Sequence, residues 1–296
     1  MTPEPVEVFA TKRPTVPAME AMMGQTFNIL DHGFVRAVDY MGSDASIVQA
    51  ARVSYGSGTK TVSQDEALIR YMMRHKHTSP FEMPSIVIHA KMPIFVARQW
   101  IRHRMASVNE YSARYSILDR EFYIPEPEHL AVQSTANKQG RGEVLSARDA
   151  QVVVDILKED SGRNYDHYEY MLNENQAYVA RPGLARELAR MNLTLNTYTQ
   201  WYWKTDLHNL FGFLSQRADA HAQYEIRVYA DKLLEIAEAW VPMAARAFRD
   251  YRLEAVTLSA GMLDVVRRRF YNGQHMTKPD DMSKREWDEF LTALEL

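Results

Sequence analysis

The densest polar chemistry in this sequence lies in RQWIRHRMASVNEYSARYS, residues 98–116. Two arginines flank a histidine at Arg102-His103-Arg104, and Glu110, Ser112 and Arg114 follow at alternate positions. If the chain runs extended there, alternate side chains share one face. They then offer a carboxylate acceptor, a hydroxyl and a guanidinium fork in succession. A mononucleotide requires such a set: donors for its phosphate and an acceptor for its sugar or base. Plainer readings use the same residues. Cations at 102–104 suit the end of a helix, where they meet the negative end of its dipole. Glu110 and Arg114 would make an i,i+4 ion pair on a helix, worth only ~0.3–0.5 kcal/mol. Val108, Tyr111 and Tyr115 fit that helix too, so spacing leaves the choice open.

A second cluster is RADAHAQ, residues 217–223, at the end of an apolar stripe. Leu207, Leu210, Phe211 and Leu214 fall at i, i+3, i+4 and i+7, the core face of a helix over 206–219. Arg217 and His221 are one turn apart at the edge of that stripe. A cation beside an apolar face costs free energy unless it has a partner. Its ordinary partner would be Asp219 or another carboxylate.

Positioning these groups falls to an α+β fold, a helix-rich single domain around one modest β-sheet. Phe34–Met41 reads as a strand and Ser46–Val53 as a short helix. Gln64–Arg74 carries Ala67, Leu68, Tyr71 and Met72 at helical spacing. The β-branched run Ser85–Lys91, between Pro84 and Pro93, is a strand. Pro93 suits the first turn of a helix through Arg104, with Ile94, Ala97 and Ile101 toward the core and Phe95, Gln99 and Arg102 on another face. Residues 133–143 are polar and glycine-punctuated, hence an exposed loop. Further helices are expected at about 147–175, 183–190, 206–219, 222–247, 261–272 and 284–294. Ser283 and Glu286 form a capping box for the last, whose stripe is Trp287, Phe290, Leu291 and Leu294. The expected organisation is a Pro-rich arm over 1–26, a catalytic domain over 27–255 and a helical extension over 256–296.

Bulk properties narrow the chemistry. A net charge of −3 over 296 residues gives no general attraction to nucleic acid or anionic lipid, so an anion site must be local. No segment approaches the roughly 18 uninterrupted apolar residues that cross a bilayer. Pro3, Pro5, Pro14 and Pro17 break any signal-peptide pattern, so a cytoplasmic protein without membrane partners is expected. The sequence contains no cysteine, which excludes disulfides, iron–sulfur clusters, thiolate zinc sites and a catalytic thiol.

Arg102-His103-Arg104-MASVNEY-Ser112 resembles the RHR-x7-S signature of flavin-dependent thymidylate synthases. The similarity extends through AARVSYG (50–56), RHKHTSPFE (74–82), LARMNLTLN (188–196) and TDLHNLFGFLSQRADAHAQ (205–223), and so spans roughly 27–250. The resemblance implies methylation of dUMP to dTMP, with FAD as cofactor and NADPH and methylene-tetrahydrofolate as co-substrates. It implies dUMP contacts from Gln99, Trp100, Ile101, Arg102, Glu110, Tyr111, Ser112, Ala113, Arg114, Arg190 and Arg217. The resemblance makes Arg217 the expected catalytic group, polarising the pyrimidine so that carbon 5 becomes more nucleophilic. FAD contacts fall to Ser79, Arg102, His103, Arg104, Glu110, Asp206, Leu207, His208 and Gly212, with His77 beside the flavin and folate pocket. Gly212 departs from the pattern, since family members carry His or Asn there. A homotetramer with active sites at subunit boundaries is also implied. The missing cysteine agrees with this chemistry, because base polarisation and a flavin hydride replace thiolate addition to the pyrimidine.

Two other classes fit less well. A nucleic-acid binder would use the RHR patch and the aromatic stretch NTYTQWYW (196–203) for stacking, but the balanced charge and lack of a basic stripe oppose it. A metal hydrolase would draw on His75, His77, His103, His208 and His221. None forms H-E-x-x-H, and side chains at i,i+2 diverge on a helix, so no metal is expected.

Overall fold

A computed structural model describes residues 13–53, 62–135, 140–174, 176–179, 181–272, 276–278 and 284–293. Its strands are β1 (Phe27–Ile29), β2 (Gly33–Met41), β3 (Ser85–Pro93), β4 (Ser107–Glu110), β5 (Ala131–Gln133), β6 (Arg141–Val144) and β7 (Tyr198–Asp206). Five of them form one antiparallel sheet in the order β1-β2-β3-β7-β4. Strand alternation puts Val35, Ala37, Ile86, Ile88, Ala90, Trp201 and Trp203 on the buried face. A bulge between Ala37 and Asp39 leaves Val38 unpaired and exposed. That extra residue shifts the alternation so that Tyr40 turns inward.

Helices α1 (Pro17–Met22), α2 (Asp44–Val53), α3 (Val62–Arg74), α4 (Ile94–Trp100), α5 (Ala147–Leu172), α6 (Arg186–Ala189), α7 (Leu207–Arg217), α8 (Tyr224–Trp240) and α9 (Pro242–Phe248) complete the first of two compact units, Met1–Phe248. Leu207, Leu210, Phe211 and Leu214 are all buried, as the stripe on α7 requires. The second unit, Arg249–Leu296, holds α10 (Ala260–Asn272) and α11 (Lys284–Ala293). Its core is Met262, Val265 and Phe290, with Trp287 and Leu291 packed against them. Ser283 and Leu294, like residues 54–56 and 136–139, lie outside the described residues.

Several expectations change. The stretch 196–203 is no stacking platform: it runs into β7, held between β3 and β4, with Trp201 and Trp203 in the core. The helix after Pro93 ends at Trp100 and not at Arg104, and Pro93 itself closes β3 opposite Tyr198. Its buried face is Val96, Ala97 and Trp100, while Ile101 is exposed. The cause is the indole of Trp100, which meets Trp201 and Trp203 edge-on with centroids 5.6 and 5.4 Å away. The expected loop at 133–143 is flanked by the antiparallel ribbon β5–β6. The arm over 1–26 contains α1, which buries Met19. The long helix at 222–247 breaks between α8 and α9, because Pro242 has no N–H to continue it. Asp44 caps the second piece, accepting from the N–H groups of Met243 and Ala244 at 2.8 and 3.0 Å. The helix at 183–190 shrinks to α6 and a 3₁₀ turn over Arg190–Asn192.

Candidate active site

The RHR residues lie between α4 and β4. A tight turn follows Trp100, with Ile101 N–H donating to Ala97 O at 2.9 Å and His103 N–H to Trp100 O at 3.0 Å. Pairing of β4 with β7 then selects the extended alternative for Ser107–Glu110. The ion pair of Glu110 with Arg114 therefore does not form. Glu110 instead accepts from the Thr199 hydroxyl at 2.8 Å. Extension stops beyond Tyr111, because the chain turns back on Ser112, whose carbonyl accepts from Tyr115 and Ser116. Arg114 thus leaves the face of Glu110 and meets Glu187 at 3.5 Å. Both of these side chains are more than half exposed, so the pair is weak and available to an anionic ligand.

A cleft of about 390 Å³ collects Glu110, Tyr111, Ser112, Ala113, Arg190 and Thr199, with Leu118, Leu193 and Leu195 among its apolar walls. Arg190 Nε donates to Glu187 O at 3.3 Å, next to the carboxylate that meets Arg114. A second cleft of about 530 Å³ is lined by Gln99, Ser215, Arg217, Asp219, His221 and Gln223, among others. Seven of the eleven expected dUMP residues thus fall in two clefts, five in the first and two in the second, while Trp100, Ile101, Arg102 and Arg114 line neither. Trp100 is fully buried, its indole packed against Trp201, Trp203 and Phe213.

Arg217 ends α7, where a cation is favoured by the helix dipole. Among the described residues it forms no ion pair, and Asp219 bonds His221 instead. Its Nε donates to His103 Nε2 at 3.2 Å. To accept that bond, His103 must be neutral with its proton on Nδ1. Burial, and then the charge of Arg217, push the imidazole down to about 4. Burial also pulls the Arg217 guanidinium below its ordinary value, and the charge of Arg102 adds to this. The terminal nitrogens of Arg217 make no hydrogen bond to the described residues. A half-buried, unneutralised fork at a cleft wall can meet a carbonyl and an adjacent ring nitrogen.

The residues expected at FAD are more dispersed. Asp206 caps α7, accepting from the Asn209 N–H at 2.9 Å and its amide at 2.7 Å. Leu207 is fully buried, His208 is half-buried, and Ser79, Arg102 and Arg104 are exposed. His77 is exposed beside Tyr71, ring centroids 5.8 Å apart. A side chain at Gly212 would meet nothing within 4 Å. The departure at this position therefore leaves open space on α7 and no steric conflict. Sequence reasoning missed Thr199, Gln223, Glu225 and Arg141. Thr199 partners Glu110, and Gln223 accepts from the amide of Gln99.

The profile of the family described as Thymidylate synthase complementing protein matches residues 36–243. This chain belongs to that family. A flavin-dependent thymidylate synthase of Gluconobacter oxydans (strain 621H) is 61% identical over 285 residues, covering 96% of this chain and 92% of the relative. One from Ruegeria pomeroyi is 60% identical over 284 residues, covering 96% and 93%. A solved structure of the UMP/dUMP methylase PolB from Streptomyces cacaoi, bound with 5-Br dUMP, superposes with a TM-score of 0.67. Its identity is 31%, over 77% of this chain and 99% of that one. Arg102 and Arg104 are exposed and form no ion pair among the described residues. Two exposed guanidinium groups two residues apart are a donor set that fits a diphosphate such as that of FAD.

Proposed function

We propose that this chain is a flavin-dependent thymidylate synthase. It methylates carbon 5 of dUMP to give dTMP, using methylene-tetrahydrofolate as carbon donor and NADPH as reductant. FAD, when bound, supplies the hydride that completes the methyl group. Ser79, Arg102, His103, Arg104 and Glu110 would hold it, with Asp206, Leu207, His208 and Gly212 on the adenosine side and His77 beside the flavin and folate pocket.

The observation that carries the reading is Arg217, a half-buried guanidinium with a neutral imidazole for its partner, in a chain without cysteine. Activating carbon 5 requires negative charge to grow on the pyrimidine. With no thiolate to add to the ring, a fixed cation at N3 and its neighbouring carbonyl is the alternative. His103 keeps Nε of Arg217 occupied and leaves the fork for the base. A carboxylate in its place would have neutralised that field. Arg114 and Arg190 take the phosphate, Ser112 adds a hydroxyl donor, and Glu110 sits between substrate and flavin.

The division of substrate residues between two clefts supports a site completed by a second subunit, as in a homotetramer. Leu195, a wall of the first cleft, is 61% exposed, and Tyr115 and Met191 are 75% and 76% exposed. Exposed apolar residues of this size next to a cleft favour a protein neighbour. The catalytic unit would be residues 27–255, preceded by an arm and followed by a helical extension. A cytoplasmic location suits the co-substrates.

The test is cofactor and product together. Protein purified without additions should carry a flavin absorbance band, release FAD, and form dTMP only when dUMP, methylene-tetrahydrofolate and NADPH are all present. Protein that neither carries nor takes up FAD sinks the proposal.

A further inference from the structure

Gln99, a substrate residue in the reading above, is held by a neighbour in the wall of its cleft and, through it, by a buried carboxylate outside that wall. Its amide nitrogen donates to the carbonyl oxygen of Gln223. The amide nitrogen of Gln223 donates in turn to Glu225 Oε2 at 2.8 Å. Glu225 is 2% exposed and accepts three further bonds. Arg141, reaching in from β6, donates to both of its oxygens at 2.6 Å, and the Tyr123 hydroxyl donates to Oε1 at 3.1 Å. Burial raises the carboxyl, but the bonds from Arg141 and Gln223 and the charge of Arg141 hold it below its ordinary value.

An ionised carboxylate only accepts, and that fixes the direction of the whole chain of bonds. The NH2 of Gln223 must face Glu225, so its carbonyl must face Gln99. The NH2 of Gln99 must then face Gln223, and its carbonyl oxygen is the end left for the cleft. Without Glu225 either amide could flip at little cost, because the two ends are nearly equal in shape.

We propose that Glu225 is a positioning residue that sets the polarity of Gln99 through Gln223, so that Gln99 presents an acceptor to the nucleotide. The proposal rests on the assignment of Gln99 and Arg217 to dUMP. The strong donors of dUMP are N3–H and the sugar 3′-hydroxyl; where Arg217 donates to the neighbouring carbonyl and to an ionised N3, the 3′-hydroxyl is the donor left. That hydroxyl is the group Gln99 accepts from. The β5–β6 ribbon then serves the site from a distance, since Arg141 compensates the buried charge of Glu225.

The test measures binding of dUMP and of 2′,3′-dideoxyuridine monophosphate to the FAD-loaded full chain by calorimetry. Variants are Gln99→Met, Gln223→Met and Glu225→Gln, with melting temperature and flavin content recorded for each. The wild type should prefer dUMP over the dideoxy analogue by about tenfold, the worth of one buried hydrogen bond. Gln99→Met should abolish that preference, and Gln223→Met, which leaves the Gln99 amide free to turn, should reduce it to about threefold at normal melting temperature and flavin content. Glu225→Gln, in which the amide at 223 is free to turn, should reduce the preference to about threefold. A purely structural role would weaken both ligands equally and leave the preference intact, which overturns the proposal. If Gln223→Met and Glu225→Gln keep the preference while Gln99→Met loses it, Gln99 binds the sugar unaided and the positioning role is wrong. If Gln99→Met also keeps the preference and the affinity, the assignment of Gln99 to the substrate has failed, and the proposal with it.

Discussion

Lowering the pH from 7.5 to 5.0 probes the contact between Arg217 and His103. In the folded chain the imidazole titrates at about 4, against an ordinary value of 6.5. The unfolded chain therefore binds a proton between these values that the folded chain refuses. Stability must fall as the pH drops below about 6.5, and the loss levels off near 4, where folded His103 also protonates. At pH 5 the full linkage is ~2 kcal/mol, since a tenfold difference is worth about 1.4 kcal/mol. The ring is only half-buried, so solvent screening reduces this to ~1 kcal/mol. The comparison is with His103→Gln, whose carbonyl can still accept from Arg217 Nε but does not titrate. Urea unfolding of both proteins at the two pH values isolates this residue, because every other titrating group is common to both. The wild type should lose ~1 kcal/mol more than the variant on acidification. Parallel losses would mean that burial and the charge of Arg217 do not hold His103 neutral, and the free guanidinium fork would lose its support.

Further outcomes follow from the same geometry. Arg217→Lys keeps the charge but loses the planar fork, so it should fold, bind FAD and oxidise NADPH while dTMP formation falls about 100-fold; wild-type methylation would remove Arg217 from the chemistry. Arg114→Ala should weaken dUMP by ~2 kcal/mol in calorimetry while sparing FAD, with uridine little affected. Equal losses for uridine and dUMP would place Arg114 in the fold. Gly212→Ala, on the open side of α7, should raise the stability in urea by ~0.5–1 kcal/mol; destabilisation would show that the space beside Gly212 is filled in the native protein.

The elements that sequence reasoning located best have strong local periodicity. The α7 stripe and the β-branched run of β3 bury the side chains their spacing requires. Harder were elements decided by neighbours far away in the chain. Trp201 and Trp203 alternate with Gln200, Tyr202 and Lys204, a strand pattern, but their aromatic character equally suits stacking on bases. Only the flanking β3 and β4 make β7 a core strand. The end of α4 is similar, since helical spacing admits either Ile101 or Trp100 to the core until two further indoles are there to receive one. In the site, Glu110 had two readings separated by whether its segment pairs with β7, which no local pattern reveals. The bond from Arg217 to His103 joins residues 114 apart in sequence. So does the network of Arg141, Glu225, Gln223 and Gln99 join distant segments. Such groups carry no shared periodicity, and only the folded chain shows which of them touch.

The central claim is that the hydride of the new methyl group comes from flavin and not from folate. Electron balance makes this visible in the folate product. Methylene-tetrahydrofolate donates a carbon at the oxidation level of formaldehyde, and two more electrons are needed to make a methyl group. If reduced flavin provides them, folate leaves as tetrahydrofolate; if the folate ring provides them, it leaves as dihydrofolate. The measurement is a single turnover, without oxygen, of pre-reduced enzyme with dUMP and methylene-tetrahydrofolate, with dTMP, folate products and flavin absorbance quantified together. The account predicts one tetrahydrofolate and one reoxidised flavin for each dTMP. Dihydrofolate formed in step with dTMP, with the flavin still reduced, would contradict it.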